Sequence, residues 1–244
     1  MFDQKSAQNS LNEIYDYYVR TPSDINEHLD TLRKHASECA SVAEFGVRGG
    51  VSTYALLLGL MNNGKEQKSY VGVDIENCSQ VVQVASKLSL MLGIEYEFIQ
   101  MDSAKVGIQD VDMLFIDTWH IYGHLKRELE NNHGKVRKYI AMHDTTVDEW
   151  LGESIRCSCN IKQQVAESGY PEDEITKGLW PAVSEFLESH RVKSILERFC
   201  KFLPVPIYFK DANAEAPKKE EGKEPEAEKS INNTIQYGCV SLLN

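Results

Sequence analysis

The stretch Ser41-Val42-Ala43-Glu44-Phe45-Gly46-Val47-Arg48-Gly49-Gly50 decides the fold of this chain. Its first five residues form a short, mostly apolar run that predicts a strand, and the three glycines that follow predict a tight turn. The next residues, from about Ser52 to Met61, predict a helix. A strand, a glycine turn and a helix in this order allow a ligand to approach the backbone closely at a helix N-terminus.

The same alternation of short apolar runs and helical segments continues downstream. An amphipathic segment from Val81 to Leu92 separates two of the runs. Strands that alternate with helices imply right-handed crossovers, so we predict an α/β fold with a doubly wound, mostly parallel, Rossmann-like sheet. The four further predicted strands are Tyr70–Asp74, Tyr96–Ile99, Val111–Ile116 and Tyr139–Met142.

Residues 1–40 predict a helical lead-in to a main domain at residues 41–244. Leu11, Ile14, Tyr15 and Tyr18 share one helix face, and Thr21-Pro22 ends that helix. Ser23 is the expected N-cap of a second helix.

The end of the chain has a different pattern. A helix is predicted at Trp180–Ser189, and two β-rich stretches at 194–209 and 234–243 predict an antiparallel hairpin that brings the sheet to seven strands. Residues 211–230 lack Val, Ile, Leu and aromatic side chains, which predicts a mobile acidic insertion. A docking tail for a basic partner is the alternative.

Composition and charge exclude several classes of protein. The 244 residues include 26 Lys and Arg against 37 Asp and Glu, a formal net charge of −11. This charge disfavours nucleic acid and anionic membranes as partners. No apolar run or leader pattern predicts a membrane span or secretion, and six cysteines without CxxC spacing predict reduced thiols. We therefore expect a cytoplasmic protein, and homo-oligomerisation stays open.

Ligands of an open parallel sheet bind outside the carboxyl ends of its strands. Acidic residues stand at or next to the ends of the predicted strands: Glu44, Asp74, Asp102, Asp117 and Asp144. The glycine turn lacks the GxGxxG spacing of dinucleotide sites, and Glu44 suits a cation or an amino group better than a phosphate. Asp74 suits two ribose hydroxyls, and Asp102-Ser103 suits an adenine edge. The alternatives are a turn that serves packing only and a capping role for Asp74.

Asp117 and Asp144 should converge because the fourth and fifth strands of a doubly wound sheet are usually neighbours. Two close carboxylates repel unless a cation or proton lies between them, and Mg²⁺ or Ca²⁺ suits oxygen ligands. Capping of the following turn is the alternative for Asp144.

Several motifs resemble a known family. EFGVRGG followed by Ser52-Thr53, then GVDIE (72–76) and MDS (101–103), is similar to class I S-adenosylmethionine (SAM)-dependent methyltransferases. FIDTWH (115–120) and AMHDTT (141–146) resemble metal-dependent O-methyltransferases of catechols and sugars, in the style of the cephalosporin-hydroxylase-like and rhamnosyl O-methyltransferase branch. Pro22–Leu29 resembles methyltransferase domains of glycan-building proteins of large DNA viruses. Arg48 departs from the family, since many members have glycine there.

The resemblance implies roles for individual residues. It makes Asp117, Asp144 and Thr145 the ligands of Mg²⁺ or another divalent cation, and Asp117 and His120 catalytic residues, with His120 as the base. A solvent-exposed histidine at a helix start is the alternative for His120. The implied SAM-binding residues are Glu44, Gly46, Val47, Arg48, Gly50, Ser52, Thr53, Asp74, Asp102, Ser103 and Asp117.

These observations and the resemblance together predict methyl transfer from SAM to a hydroxyl group of a small-molecule or glycan substrate, in particular that of a sugar such as rhamnose. Two rivals stay open: a nicotinamide-dependent oxidoreductase on a similar sheet, and a methyltransferase fold that binds without catalysis.

Overall fold

A computed structural model of the chain describes residues 3–189 and 240–242. Its core is a parallel sheet with the strand order β3-β2-β1-β4-β5-β6. The α/β fold and the parallel sheet predicted from the sequence are confirmed. The strands are β1 (Ser41–Phe45), β2 (Ser69–Asp74), β3 (Glu95–Gln100), β4 (Val111–Ile116), β5 (Val136–Met142) and β6 (Val240–Leu242).

Helices cover both faces of the sheet because consecutive strand residues point to opposite sides. Val42 belongs to a core shared with the first four helices, whereas Ala43 belongs to a second core shared with two later helices. The helices are α1 (Gln4–Arg20), α2 (Leu29–Ser37), α3 (Val51–Asn62), α4 (Ser79–Leu92), α5 (Tyr122–Asn132), α6 (Glu153–Arg156), α7 (Ile161–Ser168), α8 (Glu172–Thr176) and α9 (Leu179–Ser189).

The strand order reverses between β1 and β4. The chain runs outward through β1, β2 and β3, and then returns to place β4 on the other side of β1. This reversal opens a crevice at the carboxyl ends of β1 and β4, where the glycine turn and Asp117 lie.

The second helix begins later than the sequence pattern predicts. A 3₁₀ turn at Asn26–His28 precedes α2, which begins at Leu29. Ser23 does not cap that helix, because its backbone N–H donates to Oδ1 of Asn26 in a local turn.

Beyond Ser189 the structure describes only β6. The described sheet has six strands, with β6 paired in parallel with β5, and the predicted seventh strand and antiparallel hairpin are not shown. The other half of the predicted hairpin, at 194–209, and the acidic insertion at 211–230 lie outside the described residues. Within the described part of the chain, no helix combines the length and apolar character that crossing a membrane requires.

Candidate functional site

The glycine turn after β1 is packed directly against the end of β4. Gly46 has a φ of +90°, and a Cβ atom there would lie 1.8 Å from the carbonyl oxygen of Asp117. Gly50 has a φ of +78°, and a Cβ atom there would lie 2.6 Å from Val81. Only glycine suits these two positions, so the sequence fixes the path of the turn.

Asp74 holds the glycine turn in place. Its Oδ2 accepts hydrogen bonds from the backbone N–H groups of Val47 and Arg48, both at 2.8 Å, and its Oδ1 accepts one from Glu76 at 2.8 Å. Helix α4 has Cys78, not Asp74, as its N-cap residue. Oδ1 retains one acceptor position, so Asp74 can serve both the turn and a ligand hydroxyl.

A cavity of about 610 Å³ opens at the carboxyl ends of the strands. Six of the predicted SAM-binding residues line it: Gly46, Arg48, Asp74, Asp102, Ser103 and Asp117. Its volume is in the usual range for a small-molecule or cofactor site, and it combines apolar walls with carboxylates at one end. These features fit a nucleoside cofactor that carries both hydroxyl and amino groups.

The other predicted SAM-binding residues do not line the cavity. Glu44 is fully buried and accepts hydrogen bonds from the hydroxyls of Ser52, Thr53 and Tyr70. Burial raises the pKa of Glu44 to about 7, although the hydroxyl hydrogen bonds oppose this rise. The hydrogen bonds of Glu44 with Ser52 and Thr53 therefore connect β1 to α3. These three residues do not line the cavity. Val47, Gly50 and these three residues support the cavity from below.

Aromatic residues form the far wall of the cavity. The ring of Trp119 stacks on that of Tyr170 at 6.0 Å, and the Arg127 guanidinium lies 4.1 Å above the centre of the Tyr170 ring. The indole N–H of Trp119 donates to Oγ of Ser154. Trp180, the other tryptophan considered from the sequence, packs against the core instead.

Glu128 of α5 connects two of the turns that line the cavity. Its Oε1 accepts hydrogen bonds from Ser103 at 2.6 Å and from Thr118 at 2.8 Å. Ser103 follows β3, whereas Thr118 follows β4. Ser103, His124 and Glu128 do not form a nucleophilic triad, because a triad needs the hydroxyl and the carboxylate on opposite nitrogens of the histidine ring. Here Ser103 and Glu128 both contact Nε2 of His124. The network is therefore a support for the cavity wall.

An acid–histidine cluster lies where β4 and β5 end, and consists of Asp117, His120, His143, Asp144 and Asp148. Asp117 and Asp144 both approach Nδ1 of His143, and their Oδ1 atoms lie 3.3 and 3.4 Å from it. This convergence is expected because β4 pairs with β5. Ligand atoms of Asp117, His120 and His143 lie within 4.8 Å of one another, as do those of His120, Asp144 and Asp148.

His120 is held between carboxylates on both sides of its ring. Its Nε2 lies 3.0 Å from Oδ1 of Asp117, and its Nδ1 lies 3.2 Å from Oδ2 of Asp148. Burial opposes a charge on the ring, but these carboxylates outweigh burial and raise the pKa of His120 to about 10. The hydrogen bond from His120 and the nearby ring of His143 likewise lower the pKa of Asp117 against the effect of burial. The Arg156 guanidinium binds both oxygens of Asp148, at 2.7 and 2.9 Å.

His143 differs from His120 because neither of its ring nitrogens has a hydrogen-bond partner, although the side chain is only 1% exposed. The ring of His28, from the lead-in, contacts it edge-on at 5.7 Å. Thr145, the third predicted metal ligand, is buried next to Asp144. An unpartnered buried imidazole among carboxylates fits a cation, and Asp117, Asp144 and His143 are the residues that could hold one.

Sequence reasoning did not single out His143, Asp148, Glu128 or His28. The only signal for His143 is its place directly before Asp144 in the AMHDTT stretch. Asp148 reaches the cluster because its backbone N–H bonds to the Asp144 carbonyl at 3.0 Å, which closes a turn that the sequence pattern does not reveal.

No family model matches the chain, and no curated protein matches it. Solved structures with a similar fold include the O-methyltransferase TomG from Streptomyces achromogenes in complex with SAM (13% identity, TM-score 0.43, 75% of this chain and 76% of that chain). They also include an O-methyltransferase from Bacillus cereus in complex with SAH (14% identity, TM-score 0.42, 75% and 78%). An O-methyltransferase family protein from Burkholderia thailandensis shows 12% identity and a TM-score of 0.43, over 77% and 57% of the two chains. Because these TM-scores are below 0.5, function is inferred from the residues of the site itself.

Proposed function

We propose that this protein is a SAM-dependent O-methyltransferase that methylates a hydroxyl group of a sugar with the help of a divalent cation. One observation carries the proposal: Asp117 belongs both to the cavity wall and to the acid–histidine cluster. A cofactor in the cavity and an acceptor beside the cluster would therefore meet at one residue.

The cavity residues would bind and orient the cofactor. SAM, when bound, supplies a methyl group that is carried on a positively charged sulfonium. A nucleophilic oxygen attacks the methyl carbon in line with its bond to the sulfur. Asp74 and Glu76 offer carboxylate oxygens for the ribose hydroxyls, and Asp102 and Ser103 offer polar groups for the adenine edge. The acidic wall complements the positive charge of the sulfonium.

The acid–histidine cluster would bind and activate the acceptor. Asp117 and Asp144, with Thr145 beside them, would hold a divalent cation, which would lower the free-energy cost of ionising an aliphatic hydroxyl. His120 is the proposed proton acceptor, for which its ring must first be neutral. Its carboxylate neighbours favour the protonated ring, so Asp117 and Asp144 would favour it less once they held a cation.

The test combines cofactor binding with turnover. Calorimetry should detect SAH binding to the purified chain, and labelled SAM should transfer its methyl group to one member of a panel of mono- and oligosaccharides. EDTA and the Asp144→Asn variant should both abolish turnover, whereas SAH should still bind in both cases, because Asp144 does not line the cavity. His120→Ala should lower the rate by about 10²–10⁴-fold, the usual contribution of a positioned base.

Asp110→Asn is the matched control, since Asp110 is an exposed acid at the opposite end of β4. It should behave like the wild type. Absence of SAH binding would refute the proposed cofactor, and binding without turnover on any acceptor would favour the non-catalytic rival. Full activity in EDTA together with a normal rate for Asp144→Asn would refute the role of the cation.

A further inference from the structure

His143 has buried nitrogen atoms that the protein itself does not satisfy. Its side chain is 1% exposed, and neither Nδ1 nor Nε2 has a hydrogen-bond partner among the described residues. A buried polar atom without a partner destabilises the fold, so such an atom in a site points to a missing ligand.

The position of the ring shows where that ligand would lie. Nδ1 is 3.3 Å from Oδ1 of Asp117 and 3.4 Å from Oδ1 of Asp144. The backbone N–H of His143 donates to the carbonyl of Ile116 at 3.0 Å, which continues the ladder between β4 and β5 and fixes the residue at the sheet edge. The rings of His28 and His120 contact it at 5.7 and 6.3 Å. An imidazole lone pair held this close to two carboxylates is repelled by them unless a cation or a proton lies between.

Nitrogen and oxygen donors do not favour the same ions. Mg²⁺ prefers oxygen ligands and retains several waters, whereas imidazole favours transition-metal dications such as Fe²⁺, Ni²⁺ and Zn²⁺. Resting on the cation site proposed above, we infer that His143 is a nitrogen ligand beside Asp117 and Asp144, and that the site selects a transition-metal dication over Mg²⁺.

His120 is a weaker candidate for the nitrogen ligand. Both of its ring nitrogens already face carboxylates, Asp117 on one side and Asp148 on the other. Asp148 is in turn neutralised by two hydrogen bonds from Arg156. Nε2 of His120 therefore has a hydrogen-bond partner without an ion, whereas neither ring nitrogen of His143 has one.

The test measures metal binding to the full chain after EDTA treatment, with Co²⁺ as a coloured probe and Mg²⁺ as its competitor. The wild type should show visible Co²⁺ absorption bands, and it should bind Co²⁺ about 100-fold more tightly than Mg²⁺. His143→Asp replaces the nitrogen with oxygen, so the preference for Co²⁺ over Mg²⁺ should fall about 10-fold or more. His120→Gln, the matched control, should keep the wild-type preference and spectrum.

Three results would overturn the inference: equal affinity of the wild type for both ions, an unchanged preference in His143→Asp, or loss of the Co²⁺ spectrum only in His120→Gln. If circular dichroism shows that His143→Asp does not fold, X-ray absorption of the Co²⁺-loaded wild type provides the test instead. The inference predicts imidazole scattering around Co²⁺, and a shell of oxygen ligands alone would contradict the inference. None of these readouts depends on methyl transfer. A chain that binds Co²⁺ through His143 but transfers no methyl group refutes only the proposed function.

Discussion

At the scale of single residues, the acidic residues of the site differ in how many hydrogen bonds their carboxylates already accept from the protein. Asp74 accepts three backbone N–H groups, and Glu44 accepts three hydroxyls. Glu76 is exposed and lines the cavity. Substitutions at these positions should therefore distinguish residues that bind the cofactor from residues that stabilise the fold.

Asp74→Ala should weaken SAH binding by about 1.5–3 kcal/mol, the usual range for hydrogen bonds to a charged group. It should also lower the free energy of unfolding, because Val47 and Arg48 lose the acceptor that holds the glycine turn. Calorimetry and urea denaturation measure the two effects. Glu76→Ala is the control, which should leave stability unchanged; a larger loss of affinity in this variant would assign the ribose hydroxyls to Glu76.

Glu44→Gln should change how stability depends on pH. The pKa of Glu44 is about 7 in the folded protein against an ordinary value of 4.5, so the folded state binds the proton more tightly than the unfolded state. The contribution of this group is therefore fully present below about pH 4.5 and is lost as the pH rises to about 7. Gln has no proton to lose, so the variant should gain stability relative to the wild type between pH 5 and 8, by up to about 3 kcal/mol.

Urea denaturation across that pH range tests this prediction. Glu130→Gln, at an exposed position of α5, should follow the wild-type curve. A constant difference between Glu44→Gln and the wild type at all pH values would show that Glu44 stays charged when buried.

At the scale of elements, α5 determines the shape of the cavity wall. Glu128→Ala should lower stability by about 1–3 kcal/mol, because the buried hydroxyl of Ser103 and the half-buried hydroxyl of Thr118 lose their acceptor. SAH affinity should fall as well, since the turns after β3 and β4 both line the cavity. Thermal unfolding and calorimetry measure the two effects, and unchanged SAH affinity in a folded Glu128→Ala variant would contradict the supporting role. Glu130→Gln again serves as the control on the same helix.

The strands were predictable because a buried strand appears in the sequence as an apolar run. β1 and β4 have the predicted bounds, and the other three predicted strands begin one to three residues earlier than expected. Helix α5 was not predicted, since its buried face contains His124, Glu128 and Asn132 among the apolar residues, which hides the helical period. The acids at the strand ends follow from the sequence, as does the place of His143 directly after β5, but Asp148 reaches the cluster only through a turn that the sequence pattern does not reveal.

At the scale of the whole molecule, the lead-in and the sheet share one core. Leu11 of α1 and Leu32 of α2 pack in the same cluster as Val42 of β1 and Leu57 of α3. Tyr18 stacks on Tyr54 at 5.9 Å and donates its hydroxyl to the carbonyl of Gly49 in the glycine turn. The lead-in therefore supports the cavity as well as the core.

Leu11→Ala should lower the free energy of unfolding by about 2–5 kcal/mol, as expected for a buried leucine. Lead-in and sheet should unfold in one transition, because they bury the same residues. Leu90→Ala, at a site that is 80% exposed, should change stability by less than about 0.5 kcal/mol. Two separate transitions in the Leu11→Ala variant would contradict a shared core.

The contact of Gly46 with the Asp117 carbonyl has a thermodynamic consequence. A shift of Asp117 toward a cation is transmitted to the glycine turn, because no space separates the two backbones. Cofactor and cation occupancy are then linked, and each ligand raises the affinity for the other by the same factor. SAH titrations with and without Co²⁺ should give that factor, and Co²⁺ titrations with and without SAH should reproduce it. In a cell, the supply of a trace metal would then set how much of the protein carries its cofactor.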